Sequence, residues 1–390
     1  PWGDLKADSG RGGRRGVGGQ GSGRRPAASR PTACGSGPST LSSSVSKILT
    51  AEVGAPRVRP QTKSMEQEQE TVKTTTAFVL AAIPLILPGC SREPGPGDGS
   101  SQFQIPSTQQ IMDEPQTLSL FGEELFAMED TTGVIEEADR TLAGAMENVD
   151  LLIASGRVRR NFWQYQQAIE LYTRAIALAP GDWRPYRFRG HRYISLREFD
   201  AAVADLERAR DLAPLNWDVA YHLGLAYFLA GRFPDASDEY LRCLGLAEDV
   251  DAAAAQRDSF RSCAQNSADS DSRVAMTEWA VRAALRSGRE EVAETLLDGI
   301  PTDLEIGENL PYYHYLLFYK GVMTAEELLN PGPDRPYRRE TVGFGVANWH
   351  VAQGDTASAV QLLEELIQDT HWPGFGRIAA EAELYRLTRE

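Results

Sequence analysis

The chain has 390 residues and a net charge of −15, long enough for two or three compact domains or for one elongated array. The charge is uneven: residues 1–64 carry eleven Lys and Arg against three Asp and Glu, which leaves the rest near −23. A body this acidic excludes a general nucleic-acid or anionic-membrane surface, since either needs an excess of Lys and Arg to replace counterions.

Residues 1–64 include runs such as RGGRRGVGGQGSGRR and show almost no apolar periodicity. They cannot bury enough surface to offset the entropy of ordering them, so they are expected to be disordered or not translated. Met65 is the first methionine and precedes an export-like segment, so translation is expected to start there.

Residues 65–90 read as a signal peptide. The apolar stretch 77–87 is too short for a bilayer, which needs about twenty apolar residues, but it fits a signal-peptide core. Its end resembles a bacterial lipobox: Leu87 stands three before Cys90, Gly89 immediately before it, and Cys90 would take the lipid. Pro88 and the three Glu against one Lys after Met65 depart from that pattern. The resemblance implies a bacterial envelope protein facing the periplasm or exterior, tethered to the membrane only through Cys90. If the segment is unused, the protein is cytoplasmic. Residues 91–110, rich in Gly, Pro, Ser and Gln, read as a flexible linker.

Residues 111–149 are expected to form a helical lead-in with Leu118, Leu120, Phe121, Leu125 and Phe126 as its apolar face. From residue 150 a repeat begins. An offset of 34 relates Ala168, Ala202 and Ala236, then Tyr165, Phe199 and Phe233, then Tyr172, Leu206 and Tyr240. It also relates Gly190 to Gly224 and Pro180 to Pro214. That is the period of a helix-turn-helix solenoid unit. Ala and Gly let paired helices approach closely, the aromatics fill gaps between hairpins, and proline stops the second helix.

These positions resemble the tetratricopeptide repeat, matched in Tyr186, Gly190, Tyr193, Ala202, Leu206, Ala209 and Pro214. Arg189 departs, standing where that family has an apolar residue. The resemblance implies an all-α, TPR-like α-solenoid that binds a protein or a glycan. Repeats match well over 150–249, the first only in its second helix. Over 250–390 hairpins return more loosely, at 273–287 with 290–300, 310–320 with 325–330, and 339–353 with 356–368. Gly288, Gly321 and Gly354 mark their turns at 33-residue spacing, and a helix over 376–387 would cap the open end. About six helical hairpins plus a C-terminal capping helix are expected.

Arg184, Arg187, His191 and Ser195 fall on one helical face, and the next repeat adds Tyr221, Leu225 and Phe228. Residues 157–197 are net +7 inside the acidic body. Guanidinium groups beside an aromatic wall suit an acidic or C-terminal peptide segment as partner. The same arginines could instead pair with Glu198, Asp200, Asp205, Glu207 and Asp211, with Arg189 needing a buried acid. Tyr312, Tyr313, His314, Tyr315, Phe318 and Tyr319 could stack on a sugar, although Tyr312, Tyr315 and Tyr319 have the spacing of a packed stripe. Cys243 occupies the slot of Ala175 and Ala209 and reads as a small packed side chain, and spacing alone leaves pairing with Cys263 open.

The five histidines are scattered, with no HExxH motif, and no Walker loop, GxSxG elbow or strand-borne GxGxxG occurs. No catalytic residues, metal ligands or cofactors are therefore assigned. The expectation is a non-enzymatic scaffold in the bacterial envelope. A glycan- or nutrient-binding lipoprotein and a helical hydrolase with a dispersed site are the alternatives.

Overall fold

The computed structural model describes residues 108–245, 262–330 and 339–389. The signal segment with Cys90 and most of the expected linker lie outside the described residues.

The lead-in is only partly helical. Helix α1 (Thr108–Asp113) is followed by an antiparallel pair, β1 (Thr117–Leu118) and β2 (Glu124–Leu125), and then by α2 (Val134–Ala143). Pro115 follows α1 and cannot donate the next helical hydrogen bond, while Gly122 turns the chain between the strands at φ +86°. Strand alternation then divides the expected apolar face. Leu125 is buried, whereas Leu118, Phe121 and Phe126 are exposed.

Six hairpins follow among the described residues. They are α3 (Val149–Arg160) with α4 (Tyr165–Leu178), α5 (Trp183–Ser195) with α6 (Phe199–Leu212), and α7 (Trp217–Leu229) with α8 (Phe233–Gly245). After the short α9 (Cys263–Ser267) come α10 (Ser270–Arg286) with α11 (Glu290–Asp298), α12 (Leu310–Tyr319) with α13 (Ala325–Leu329), and α14 (Arg339–Ala352) with α15 (Thr356–Leu366). Helix α16 (Phe375–Arg389) ends the chain. The all-α solenoid of six hairpins and a terminal helix is as expected.

The 34-residue register has visible causes. Asn148, Asp182 and Asn216 each begin a first helix, their side chains accepting from the N–H of Leu151, Arg184 and Val219. Gly156, Gly190 and Gly224 sit where the paired helix comes closest, so a Cβ would collide with Tyr172, Leu206 and Tyr240 respectively. Gly156 shows that the first repeat keeps this position in its first helix too. Ala168, Ala202 and Ala236 are fully buried opposite.

A disulfide joins Cys243 of α8 to Cys263 of α9, with their Cα atoms 5.2 Å apart. Cys243 is therefore more than a small packed side chain. Its slot faces α9, where the register resumes after residues 246–261, and local spacing does not reveal that approach.

Helix α16 also departs from a simple end cap. It packs on α14 and α15 as a seventh first helix would, and it reaches α7 of the third hairpin as well. Ile378, Ala379, Ala380, Ala382 and Leu384 share one core with Leu223, Leu225 and Phe228. Glu381 meets Arg197 in the α5–α6 turn, and Arg386 donates to the carbonyl of Leu229 at 2.8 Å.

Candidate functional site

The arginine-bearing stripe exists on one face of α5, but its members have different fates. Arg184 stays at the surface, held by Asp182 (2.6 Å) and Asp150 (2.8 Å). Arg187, one turn further in, is buried against Asp218 of α7 (2.5 Å) and lies beside the ring of His222. His191 is buried with its ring 4.4 Å from His222 and 5.1 Å from Phe375 at the start of α16. Ser195 is buried and donates back to the carbonyl of His191.

The expected apolar wall is core rather than open groove. Leu225 and Phe228 are fully buried, and Phe228 packs edge-on against Phe233, Trp279 and Phe344. The hydroxyl of Tyr221 donates to Tyr312 at 3.4 Å. The physical reason is that α10 and α16 fold back over α7, with Phe344 of α14 against Phe228, and cover the face that a more open stack would leave free. Helix α7 reads WDVAYHLGLAYFL, apolar on nearly every side, and such a helix is buried all round.

Of the acids expected to pair with α5, Asp205 takes Arg189 through two hydrogen bonds of 2.7 and 2.8 Å. That supplies the buried partner Arg189 requires. Arg184 and Arg187 use Asp182, Asp150 and Asp218 instead.

Two further residues complete this region. Arg192 is 5% exposed, with its guanidinium over the ring of Tyr165 at 4.6 Å, and no carboxylate pairs with it among the described residues. Burial lowers its pKa below the usual guanidinium range, and the nearby charges of Arg160 and Arg187 add to that effect. Arg197 and Glu381 form an ion pair of 2.7 Å with both side chains at most 2% exposed. Arg197 also donates to the carbonyl of Trp372, whose ring meets Trp163 and Tyr165 edge-on. The arginine count hinted at these residues, but helical spacing on α5 alone could not single them out.

Burial also governs the histidines. His222 is pushed down to about 4, first by burial and then by Arg187, with Asp218 opposing. His191 is lowered well below its ordinary value by burial and by the neighbouring cations. Burial tends to raise Asp218, yet Arg187 and His222 hold it below the usual carboxylate range. The chemistry offered is a cationic wall around one carboxylate, suited to binding an anion and poorly suited to moving protons at neutral pH.

The aromatic run on α12 is mainly core. Tyr313, His314, Tyr315 and Tyr319 are buried, and Arg282 is enclosed by the rings of Trp279, Tyr315 and Phe344 at 4.5 to 5.1 Å. Among the described residues no cluster of His, Cys, Asp and Glu could hold a metal ion. No described helix is long and apolar enough to cross a membrane.

Residues 189–251 match the model of the tetratricopeptide repeat family. A stretch of 94 residues, 24% of this chain, is 33% identical to the small glutamine-rich tetratricopeptide repeat-containing protein 2 of Saccharomyces cerevisiae and covers 27% of that protein. The chain thus spans about a quarter of the length of that relative. Among solved structures, YrrB, a TPR protein with an unusual peptide-binding site, aligns over 60% of this chain and 92% of its own at 12% identity and a TM-score of 0.35. The MamA protein aligns over 49% of this chain and 86% of its own at 18% identity and a TM-score of 0.34. The molecule belongs to the class of helical-hairpin solenoids. More specifically, residues 189–251 match the tetratricopeptide repeat, and proteins built on that repeat generally bind protein or peptide partners.

Proposed function

We propose that the chain is a non-enzymatic scaffold that takes an acidic peptide segment against the arginine-rich first helix of its second hairpin, beside the first helix of its third. One observation carries this reading: Arg192 is a buried guanidinium without a carboxylate, in a region where Arg160 and Arg187 already add positive charge. Burying a cation without a counter-charge is costly, and a carboxylate supplied by a partner offsets that cost. Phe375 and Trp372 pack against this region, so the proposal requires the segment before α16 to move aside when a partner enters.

The test is titration of the purified chain with a labelled peptide ending in consecutive Asp and Glu residues. Arg192→Gln should weaken binding by about tenfold or more, or roughly 1.4 kcal/mol, with the far-UV spectrum unchanged. Equal affinity for wild type and variant would sink the assignment.

The location proposed for this scaffold is the bacterial envelope, with the membrane reached only through a lipid on Cys90. Support comes from residues 74–90 alone. The intact mass of the membrane fraction decides it. A diacylglyceryl-bearing N-terminus at Cys90 supports the tether, and an unprocessed soluble product refutes it.

A further inference from the structure

The exposed large apolar residues of the described chain are concentrated in one place. Leu118, Phe121, Phe126, Met128 and Val134 all lie in the lead-in, and only Leu178 and Val322 lie elsewhere. The repeats bury their apolar residues efficiently, so this concentration is not general looseness of packing.

The strand register shows how the surface is built. Thr117 stands opposite Leu125 and faces inward, so Leu118 and its partner Glu124 face outward, as does Phe126 two residues further on. Leu118 is 53% exposed. At the tip of the hairpin, Phe121 rests edge-on against Tyr385 of α16 and lines a cleft of about 220 Å³ with Glu123, Ile367, Gln368 and Arg377.

The charge of the same segment is one-sided. From Asp113 to Asp139 there are nine Asp and Glu and no Lys or Arg. Glu123 is paired with Arg377, and Asp139 with Arg159. Glu114, Glu124 and Glu129 are exposed and have no cationic partner among the described residues. An apolar surface rimmed by free carboxylates repels anionic lipid headgroups and attracts cationic side chains.

We infer that the β1–β2 hairpin and the segment up to Val134 form a second interaction surface, independent of the arginine-rich region, that binds a basic amphipathic segment of a protein partner. Large apolar side chains of the partner cover Leu118, Phe126 and Met128, and its Lys or Arg side chains meet Glu124 and Glu129. The apolar contact supplies most of the affinity, and the carboxylates supply selection and rate. Residues 1–64 of the chain are basic but lack apolar spacing, so they match only half of this surface.

The experiment uses the full chain and a short fluorescein-labelled amphipathic peptide of lysine and leucine, followed by anisotropy at physiological ionic strength. Leu118→Ser with Phe126→Ser, and separately Glu124→Lys with Glu129→Lys, should each weaken binding about tenfold or more without shifting the melting temperature. Glu294→Lys with Asp298→Lys, two exposed acids on α11, should leave binding unchanged. If the α11 pair weakens binding as much as the hairpin variants, the attraction is bulk charge and the surface assignment falls. If deleting residues 1–64 raises the affinity tenfold, the hairpin is occupied by the chain's own head and the partner assignment falls. Peptide binding that ignores every hairpin substitution overturns the inference outright.

Discussion

The first two hairpins and the last four solve the same turn differently. In every hairpin one residue of the turn takes the left-handed conformation: Trp163 and Arg197 in the first two, then Gly231, Gly288, Gly321 and Gly354. Glycine adopts that conformation freely, while other residues meet a steric cost of about 1 kcal/mol or more. At the two exceptions the turn residue's own side chain meets the C-terminal segment, Arg197 through Glu381 and Trp163 through Trp372 and His371, whereas the Gly231 turn meets Arg386 through its backbone. Backbone strain is accepted where the turn residue's side chain makes the link, and avoided where no turn side chain is needed.

Breaking that link should have the largest effect. Arg197→Ala leaves the carboxylate of Glu381 buried beside only the N–H of Leu120, and removing one partner of such a pair costs about 3–5 kcal/mol. Arg197→Gly removes the same charge but relaxes the turn, so it should be less destabilising by about 1 kcal/mol. Urea denaturation of both variants measures this difference. Equal midpoints would mean the left-handed turn carries no strain.

The disulfide between Cys243 and Cys263 ties the two halves together across a separation of 20 residues. A cross-link closing a loop of that size contributes about 3 kcal/mol. Replacing both cysteines by serine should lower the melting temperature by several degrees under oxidising conditions, and adding reductant should lower the wild type similarly. If the comparison is sound, hydrogen exchange in α10 should rise more than in α3, because only α10 adjoins the linkage.

The halves should also respond to pH in opposite directions. The folded-state pKa of His222 is depressed to about 4, so it contributes stability above its unfolded value near 6.5 and loses it as pH falls toward 4. The groups around it are His191, Arg187 and Arg192 on α5 and Asp218 on its own helix. Glu278 on α10 is raised to about 7 by burial, with Arg282 and Tyr319 opposing, because one carboxylate oxygen has no partner. Its contribution is fully present below about 4.5 and is lost as pH rises through about 7. Each shift corresponds to roughly 3 kcal/mol at most. His222→Gln should therefore flatten the loss of stability as pH falls from 6.5 to 4, and Glu278→Gln the loss as pH rises from about 4.5 through about 7. Identical pH profiles for wild type and His222→Gln would show that this histidine is not held neutral by the fold.

Much of the solenoid was legible because its causes are local. The spacing of Ala168, Ala202 and Ala236 records helix–helix distance, and Gly288, Gly321 and Gly354 record a backbone conformation. The helix starts at Asn148, Asp182 and Asn216 repeat in the same register, a regularity the structure adds. The site was less legible because its placement is not local. Whether α5 and α7 line an open groove depends on α16, which meets Arg197 from 184 residues away. Cys243 likewise shows its bond only once α9 is in place. In the lead-in, the turn at Gly122 places Leu118, Phe121 and Phe126 along a strand pair instead of on one helical apolar face.

The smallest expected effect separates two arginines that helical spacing makes equivalent. Arg184 and Arg187 lie one turn apart on α5 and each pairs with aspartate. Arg184 is about one-third exposed, and water screens its pairs with Asp182 and Asp150, so Arg184→Ala should cost less than about 1 kcal/mol. Arg187 is buried, and its removal strands Asp218 beside a histidine that is neutral at pH 7, so Arg187→Ala should cost several times more. Added salt should weaken the Arg184 contribution and leave that of Arg187 nearly unchanged, since screening acts on exposed charges first. Denaturation of the two alanine variants at low and high salt checks both statements. Equal losses would mean that this face of α5 is uniformly solvated, and the first half of the stack would then be more open than the packing of α16 on α7 implies.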